Sequence, residues 1–238
     1  GHGQTNLTKA LAESVNTYFY TIGGGFGDIE GLGIERITAW AKKLGIGQPT
    51  GIDLPEEASG LLPSPAWKER AKGERWYIGD TYHAAIGQGD VLVTPLQLAV
   101  LASAIANGGA VYEPHILDAV VGVDASIRER TPPRALAEGV LEQKTTSAVR
   151  EGMRAAVTSG SARGLDSLPV TAAAKTGTAQ IGGTERTHAW VTVFAPFEKP
   201  KIVLVVLLEE GGEGDRVAVP VAREILAAYF SPENTPVE

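Results

Sequence analysis

The 238-residue sequence contains no cysteine, which excludes a disulfide framework. It also has no apolar run near the roughly 20 residues that a membrane-spanning helix needs. The longest such run, Ile202 to Leu208, has the length of a strand. Basic residues are few and scattered: 21 Lys and Arg stand against 28 Asp and Glu, for a net charge of -7. Because no basic patch occurs, nucleic acid is not expected as a partner.

Histidine is scarce as well, and its positions carry no metal-site pattern. The four histidines show none of the spacings of a ligand set, so we assign no metal and no cofactor. Hydrophobic residues make up 43% of the chain, which is ample for a core in one large domain or two small ones.

Apolar residues recur at helical spacing from Leu7 to Ile22, and Thr5 or Asn6 can cap the start of this helix. Ser14-Val15-Asn16 falls in its middle. Because Ser and Asn are poor helix formers there, the pattern predicts a break between two short helices.

Further helices are predicted over 35–44, 95–107, 142–157 and 217–230. Thr94 is a good N-cap, with Pro95 at the first helical position, and Asn107-Gly108-Gly109 ends that helix. The stretch from Thr50 to Pro65 is rich in Gly and Pro and indicates an extended connection.

Three strands are predicted over 170–179, 188–195 and 201–209. The third is almost wholly aliphatic, which is typical of a buried central strand. Between 118 and 140 neither a helical nor a strand pattern is recognisable, and Thr131-Pro132-Pro133 marks a loop. Helices followed by a run of strands and a last helix indicate an α+β fold.

Lys175-Thr176-Gly177-Thr178 places a positive charge beside two hydroxyls on a predicted strand, and Gly177 lets a ligand backbone come close. Such an edge can bind an extended peptide as an added strand, while the lysine and the hydroxyls hold a terminal carboxylate. Taken alone, the motif also fits an ordinary edge strand with a solvated lysine. Ser14-Val15-Asn16 taken alone fits a cap or a turn.

Taken together and in this order, the two motifs resemble the K-T-G and S-x-N signatures of serine acyltransferases that act on penicillin and its natural targets. Other segments extend the likeness along nearly the whole chain, except for 118–140: Gly1-His2-Gly3, Thr50 to Pro55, Ile86 to Gly89, Thr94 to Ala99, Asn107 to Gly109, Glu151 to Met153, Lys175 to Gln180, His188 to Trp190 and Ala195-Pro196. The chain thus resembles the class B penicillin-binding proteins, the peptidoglycan D,D-transpeptidases of cell elongation.

This resemblance implies an α+β fold of the penicillin-binding transpeptidase and serine β-lactamase type. An antiparallel sheet would be flanked by helices and joined to an all-helical subdomain. Residues 1–165 would form the mainly helical part, and residues 166–238 the sheet strands and the C-terminal helix.

The resemblance also implies roles for single residues. Ser14 would relay a proton, Asn16 would bind the acyl-donor peptide, and Lys175 would raise the local positive potential. Thr176 and Thr178 would grip the carboxylate of the substrate or of a β-lactam, beside Gly177. The Thr178 N–H would form half of the oxyanion hole. Gln88, His83 and Trp190 are assigned to packing and loop bracing.

The third signature of the family, S-x-x-K with the nucleophilic serine, occurs nowhere in the chain. We therefore expect an N-terminal portion to supply it, as a separate chain or from a neighbouring copy, and this chain alone to be inactive. The resemblance further implies peptidoglycan stem peptides and β-lactams as ligands and a membrane glycan polymerase as a partner. It places the domain on the outer face of the bacterial cytoplasmic membrane, with the anchor outside this chain.

Three alternatives stay open at this point. Ser14 and Lys175 could form a self-sufficient hydrolytic dyad, since Ser–Lys pairs serve as nucleophile and base. The chain could be a non-catalytic scaffold that keeps only the fold. It could also belong to a β-lactamase or a D,D-carboxypeptidase with the same signatures.

Overall fold

The structure is a computed structural model that describes residues 2–232; Gly1 of the Gly1-His2-Gly3 motif and residues 233–238 lie outside this range. The described residues form eight α-helices: α1 (Leu7–Glu13), α2 (Asn16–Gly24), α3 (Gly33–Lys43), α4 (Pro65–Lys72), α5 (Ile78–Ala85), α6 (Pro95–Ala106), α7 (Gln143–Thr158) and α8 (Val219–Tyr229). They also form seven strands: β1 (Val111–Glu113), β2 (Ala119–Val121), β3 (Ile127–Arg130), β4 (Arg134–Ala137), β5 (Ala173–Gln180), β6 (Thr187–Ala195) and β7 (Ile202–Leu208). The predicted α+β class is confirmed. None of the helices within 2–232 has the length and apolar character to cross a membrane.

The predicted helix break at Ser14-Val15-Asn16 is confirmed. Ser14 ends α1 with a left-handed φ of 54°, and Asn16 begins α2. Val15 between them is only 2% exposed, so the break is anchored in the core. Asn6 caps the start of α1 by accepting the Lys9 N–H, as predicted for that position.

Thr94 begins α6 as predicted. Its hydroxyl accepts the Gln97 N–H, while Gln97 Oε1 accepts the Thr94 N–H, both at 3.1 Å. Gln97 is fully buried and donates from Nε2 to the carbonyls of Gln48 and Ser59, each at 2.8 Å. This side chain therefore ties the start of α6 to the extended connection before it.

The helices α4 and α5 were not predicted from the sequence. The sequence does contain the start and stop residues of α4. Ser64 caps the helix by accepting the Trp67 N–H, Pro65 is the first helical residue, and Gly73 ends the helix in the left-handed conformation. For α5 such signals were weaker, since its N-cap is Tyr77 and not a Ser, Thr, Asp or Asn.

Three antiparallel strands, in the order β5–β6–β7, form the largest sheet of the described residues. Lys175 lies opposite Thr192 in the β5–β6 pair, and Val193 lies opposite Leu204 in the β6–β7 pair. The prediction that the aliphatic strand β7 is central was wrong within residues 2–232, because β6 takes that place and β7 lies at the edge. Six of the seven β7 residues are partly exposed.

The segment 111–137 contains two small two-stranded sheets, β1–β4 and β2–β3. None of β1, β2, β3 and β4 was predicted from the sequence, although the loop at Thr131-Pro132-Pro133 was placed correctly. All four residues of β3 are exposed, so no alternation of buried and exposed positions marks it as a strand.

Two buried clusters hold helices against the two faces of the large sheet. Ala174, Val191 and Val193 pack with α7 and α8 residues such as Val157 and Leu226. On the other face, β5 and β6 contribute Ala173 and Phe194 to a smaller cluster with Met153 of α7 and Ala106 of α6. Because α7 belongs to both clusters, it links the helices to the edge of the sheet at β5.

The end of α1 approaches the loop after α7 very closely at Gly160. A Cβ on Gly160 would lie 2.1 Å from the carbonyl oxygen of Ala12 and 2.8 Å from Cα of Ala156. The next residue, Ser161, donates its N–H to the same Ala12 carbonyl at 3.0 Å. Only glycine fits here, because the clashing atoms belong to backbone.

We expect Gly160→Ala to lower the free energy of unfolding by about 2–3 kcal/mol, since overpacking against backbone cannot be relieved by a side-chain rotation. Urea denaturation of the variant measures this. Gly79→Ala is the matched control, because no heavy atom lies within 4 Å of a Cβ there and Gly79 is helical. A Gly160→Ala protein as stable as the control would contradict the close approach.

Candidate active site

Lys175 lies near the middle of β5, and its ammonium group points to the break between α1 and α2. Its Nζ donates to Ser14 Oγ at 2.7 Å and to the carbonyl of Thr176 at 2.7 Å. These two distant segments therefore meet, as the roles implied for Ser14 and Lys175 require. Burial lowers the pKa of Lys175 from 10.5 to about 8, because the charged form loses hydration there.

The hydroxyl of Ser14 is directed to Lys175 by the break itself. The left-handed conformation of Ser14 ends α1, and Val15 follows as the N-cap of α2. Neither helix uses the Ser14 side chain as a cap, so its hydroxyl can bond to Lys175. Ser14 is exposed, so a ligand can reach its hydroxyl.

Ser161 belongs to this site, and the sequence analysis assigned it no role. Its Oγ lies 2.6 Å from Oγ1 of the buried Thr176, while its N–H is bonded to Ala12. Ser161 therefore bridges β5 and the end of α1, two residues before Ser14. The Ser159-Gly160-Ser161 sequence reads as a plain loop, and no local signal reports this bridge.

Asn16 is the first residue of α2 and is exposed. Its carboxamide makes no hydrogen bond to any of the described residues, so it is available to a ligand. Its predicted contact with the acyl-donor peptide stays a prediction.

The Thr178 hydroxyl is available to donate a hydrogen bond to a ligand. Its Oγ1 accepts the Gly214 N–H at 3.2 Å, which leaves the hydroxyl hydrogen free for a second partner. Thr178 is exposed, whereas Thr176 is 8% exposed. Of the two threonines, Thr178 is thus the more accessible donor for a carboxylate.

Gly177 packs tightly against the neighbouring strand β6. A Cβ on Gly177 would lie 3.3 Å from Cβ of Trp190, which stands opposite it on β6. The glycine expected to admit a ligand backbone therefore also makes room for Trp190.

A cleft of about 600 Å³ opens beside these residues. Its walls are the loop 86–93, the strand segment 175–182, and the side chains of Leu98, Trp190 and Leu207. The lining is largely apolar, with the Lys175 ammonium as its cation. The arrangement can bind an extended ligand along β5 and hold a negative charge near Lys175.

Gln88 braces the loop 86–89 against β5, in agreement with the prediction. Its Nε2 donates to the Thr178 carbonyl at 2.7 Å, and its Oε1 accepts the Gln180 N–H at 3.2 Å. Trp190 lines the cleft, and the His83 carbonyl accepts the Gln88 N–H.

We expect the Lys175 ammonium to titrate with a midpoint near pH 8, because burial disfavours its charge. A 15N NMR titration of the lysine Nζ signals measures this, and Lys175→Arg assigns the signal by removing it. A midpoint near the ordinary 10.5 would contradict the desolvation of this side chain.

Comparisons with known proteins identify the family of this chain. A family model described as the penicillin binding protein transpeptidase domain matches residues 1–227. Peptidoglycan D,D-transpeptidase MrdA of Haemophilus influenzae is 33% identical over 257 aligned positions, which cover 100% of this chain and 38% of the relative. MrdA of Salmonella typhimurium is 35% identical over 98% of this chain and 39% of the relative. The chain thus spans less than half the length of these curated relatives.

Solved structures show the same fold. The penicillin-binding protein PBP2 of Helicobacter pylori, in its complex with MreC, superposes with a TM-score of 0.78 at 34% identity, over 97% of this chain and 40% of that chain. PBP2 of Pseudomonas aeruginosa, in complex with WCK 5153, superposes with a TM-score of 0.80 at 31% identity, over 99% of this chain and 50% of that chain. These relatives confirm the predicted class B resemblance, and the chain belongs to the penicillin binding protein transpeptidase domain family.

Proposed function

We propose that this chain is the C-terminal portion of the transpeptidase domain of a peptidoglycan D,D-transpeptidase, which transfers the acyl group of D-Ala-D-Ala stem peptides through a serine ester. The observation that carries the proposal is the 2.7 Å contact between Ser14 Oγ and Nζ of Lys175, which lines a cleft of about 600 Å³. The relatives named as peptidoglycan D,D-transpeptidases support it.

The proposed reaction has two steps. The nucleophilic serine oxygen adds to the carbonyl carbon of the penultimate D-Ala, and the C–N bond to the terminal D-Ala breaks. The serine proton leaves on that amine. The amine of a second stem peptide then displaces the serine from the ester, and the serine recovers a proton.

Each site residue has one task in this proposal. Ser14 relays the proton to the leaving amine, and Lys175 supplies a positive potential that holds the Ser14 hydroxyl in place. Asn16 binds the acyl-donor peptide. Thr176 and Thr178, on either side of Gly177, hold the terminal carboxylate.

The oxyanion hole is shared between two segments. The N–H of Thr178 lies on the outer edge of β5, because the N–H and C=O of one residue point to the same side of an antiparallel strand and the Thr178 carbonyl meets Gln88 there. The second donor is the N–H of the nucleophilic serine. Removal of one such donor typically costs about 2.7–4 kcal/mol of transition-state stabilisation.

We place the nucleophile in an S-x-x-K segment outside these 238 residues, since the chain contains no such sequence. The exposed edge of β7 is where strands of the same portion pair. In this arrangement residues 1–165 are the mainly helical part of the domain and 166–238 carry the sheet strands and the last helix.

Stem peptides and β-lactams are the proposed ligands of the complete protein. A membrane glycan polymerase is a proposed partner, in keeping with a similar structure described as a peptidoglycan synthase complex that coordinates polymerization and crosslinking. The proposed location is the outer face of the bacterial cytoplasmic membrane.

One observation favours a second candidate, a Ser14–Lys175 hydrolytic dyad. A serine hydroxyl 2.7 Å from a lysine with a pKa of about 8 has the geometry of such a pair. At neutral pH, however, this lysine is mostly protonated and donates to the hydroxyl, so it is a poor base for Ser14. We therefore rank the relay role first.

In the complete protein, Lys175→Ala is expected to slow acylation by a fluorescent penicillin about 100-fold or more, because general acid–base and electrostatic contributions of one group reach that size. Gel fluorescence against time gives the rate. Lys201→Ala, at the exposed residue just before β7, is the matched control and should leave the rate unchanged. An unaffected rate in Lys175→Ala would defeat the role of Lys175.

The same probe separates the two candidates in the 238-residue chain alone. The transpeptidase proposal expects no covalent label, since the nucleophile is elsewhere. Mass spectrometry that found the label on Ser14 would establish the dyad instead.

The isolated chain is expected to self-associate, because an aliphatic edge strand and an apolar cleft are open to other chains. Light scattering should show an apparent mass that rises with concentration. The complete protein at the same concentrations is the control. A monodisperse monomer without a companion polypeptide would refute the assigned role of the β7 edge.

A further inference from the structure

The Gln88 side chain occupies backbone groups of β5 that a bound peptide would use. Its amide donates to the Thr178 carbonyl at 2.7 Å and accepts the Gln180 N–H at 3.2 Å. One side-chain amide thus pairs with a C=O and an N–H two residues apart, as a neighbouring strand would. The outer edge of β5 is therefore already covered from Thr178 to Gln180.

The loop around Gln88 is shaped to aim it at this edge. Gly87 and Gly89 both have φ of +72°, a conformation that other residues rarely adopt. The Gln88 N–H is held by the His83 carbonyl at 2.9 Å, and a Cβ on Gly89 would lie 3.2 Å from Cβ of His83. The backbone of this loop thus places the Gln88 side chain beside the edge of β5.

Antiparallel pairing at Thr178 distinguishes ligands that carry an N–H at this point from ligands that do not. A ligand residue whose carbonyl receives the Thr178 N–H brings its own N–H opposite the Thr178 carbonyl, because both bonds join the same two residues. That carbonyl is the atom to which Gln88 donates. A ligand with an N–H at this point therefore competes with Gln88, whereas a ligand without one does not.

We propose that Gln88 is a selectivity residue that competes with the acyl donor for the Thr178 carbonyl and ends the peptide-binding edge of β5 there. The proposal rests on the function proposed above, since it takes the Thr178 N–H as an oxyanion donor. Acyl donors displace the Gln88 amide as they bind, and ligands that do not pair with the Thr178 carbonyl leave it in place.

Two ligands that share one ring system distinguish a selectivity role of Gln88 from a role in loop bracing alone. Benzylpenicillin carries an amide N–H beside its β-lactam carbonyl, and penicillanic acid is the same bicyclic acid with hydrogen in place of that amide. Acylation rate constants of the complete protein are measured with both. Their ratio cancels any general loosening of the loop 86–89.

Gln88→Ala is expected to raise the ratio of the benzylpenicillin rate to the penicillanic acid rate about 3- to 10-fold. This factor corresponds to the free energy of one neutral hydrogen bond. Gln88→Glu should raise the ratio in the same direction, because a carboxylate of nearly the same size cannot donate to the Thr178 carbonyl. Gln48→Ala is the matched control. Gln48 donates to the Lys42 carbonyl away from the cleft, so this variant should leave the ratio unchanged.

Amide hydrogen exchange tests the contact without any acylation. The Gln180 N–H should exchange about 10-fold faster in Gln88→Ala, which removes its acceptor, and should stay protected in Gln88→Glu, which retains a carboxyl oxygen. Unchanged exchange in Gln88→Ala would overturn the inference.

The outcomes of the acylation test are distinct. An equal change of both rates in the Gln88 variants makes Gln88 a loop brace only and overturns the inference, while the proposed function stands. A complete protein that neither ligand acylates overturns the proposed function and the inference with it.

Discussion

The contact between Lys175 and Ser14 joins two segments that lie 161 positions apart in the sequence. It depends on a tether two residues before Ser14, where the Ala12 carbonyl accepts the Ser161 N–H and the Ser161 hydroxyl meets Thr176 on β5. Gly160 lets the two backbones approach closely enough for this tether. The geometry of the site is therefore set by backbone packing between α1, the loop after α7 and β5.

The outer edge of β5 is the second constraint on the molecule. An open strand edge can bind a peptide, but it can also pair with another chain. Here the edge is partly covered by the chain itself, since Lys175 Nζ bonds to the Thr176 carbonyl and Gln88 bonds to Thr178 and Gln180. What stays available is the short stretch with the Thr178 N–H and hydroxyl, next to the lysine. The same bonds that limit nonspecific pairing thus define where a ligand can lie.

Local signals predicted much of the fold correctly. Ser14 and Asn16 in a helical pattern predicted the break, and Thr94-Pro95 predicted the start of α6. The failures have physical causes. The strand β3 is exposed on both faces, so its sequence shows no alternation of apolar and polar residues. The strand β7 is aliphatic because residues such as Val206 and Val203 pack on opposite faces of the sheet. Side chains report what covers the faces of a strand, whereas a central or edge position depends on backbone pairing.

The sequence by itself determined the residue types of the candidate site, the strand that carries Lys175, the helix break that carries Ser14, and the family resemblance. Only the tertiary structure decided that Lys175 Nζ lies 2.7 Å from Ser14 Oγ, and that burial lowers the pKa of this lysine to about 8. It also decided that the Ser161 hydroxyl bonds to Thr176 and that Gln88 bonds to the Thr178 carbonyl. Helix and strand patterns are formed by residues that are close together in the chain, so they are visible in the sequence. Desolvation and hydrogen bonding between distant segments depend on which surfaces meet, and that is settled when the chain packs.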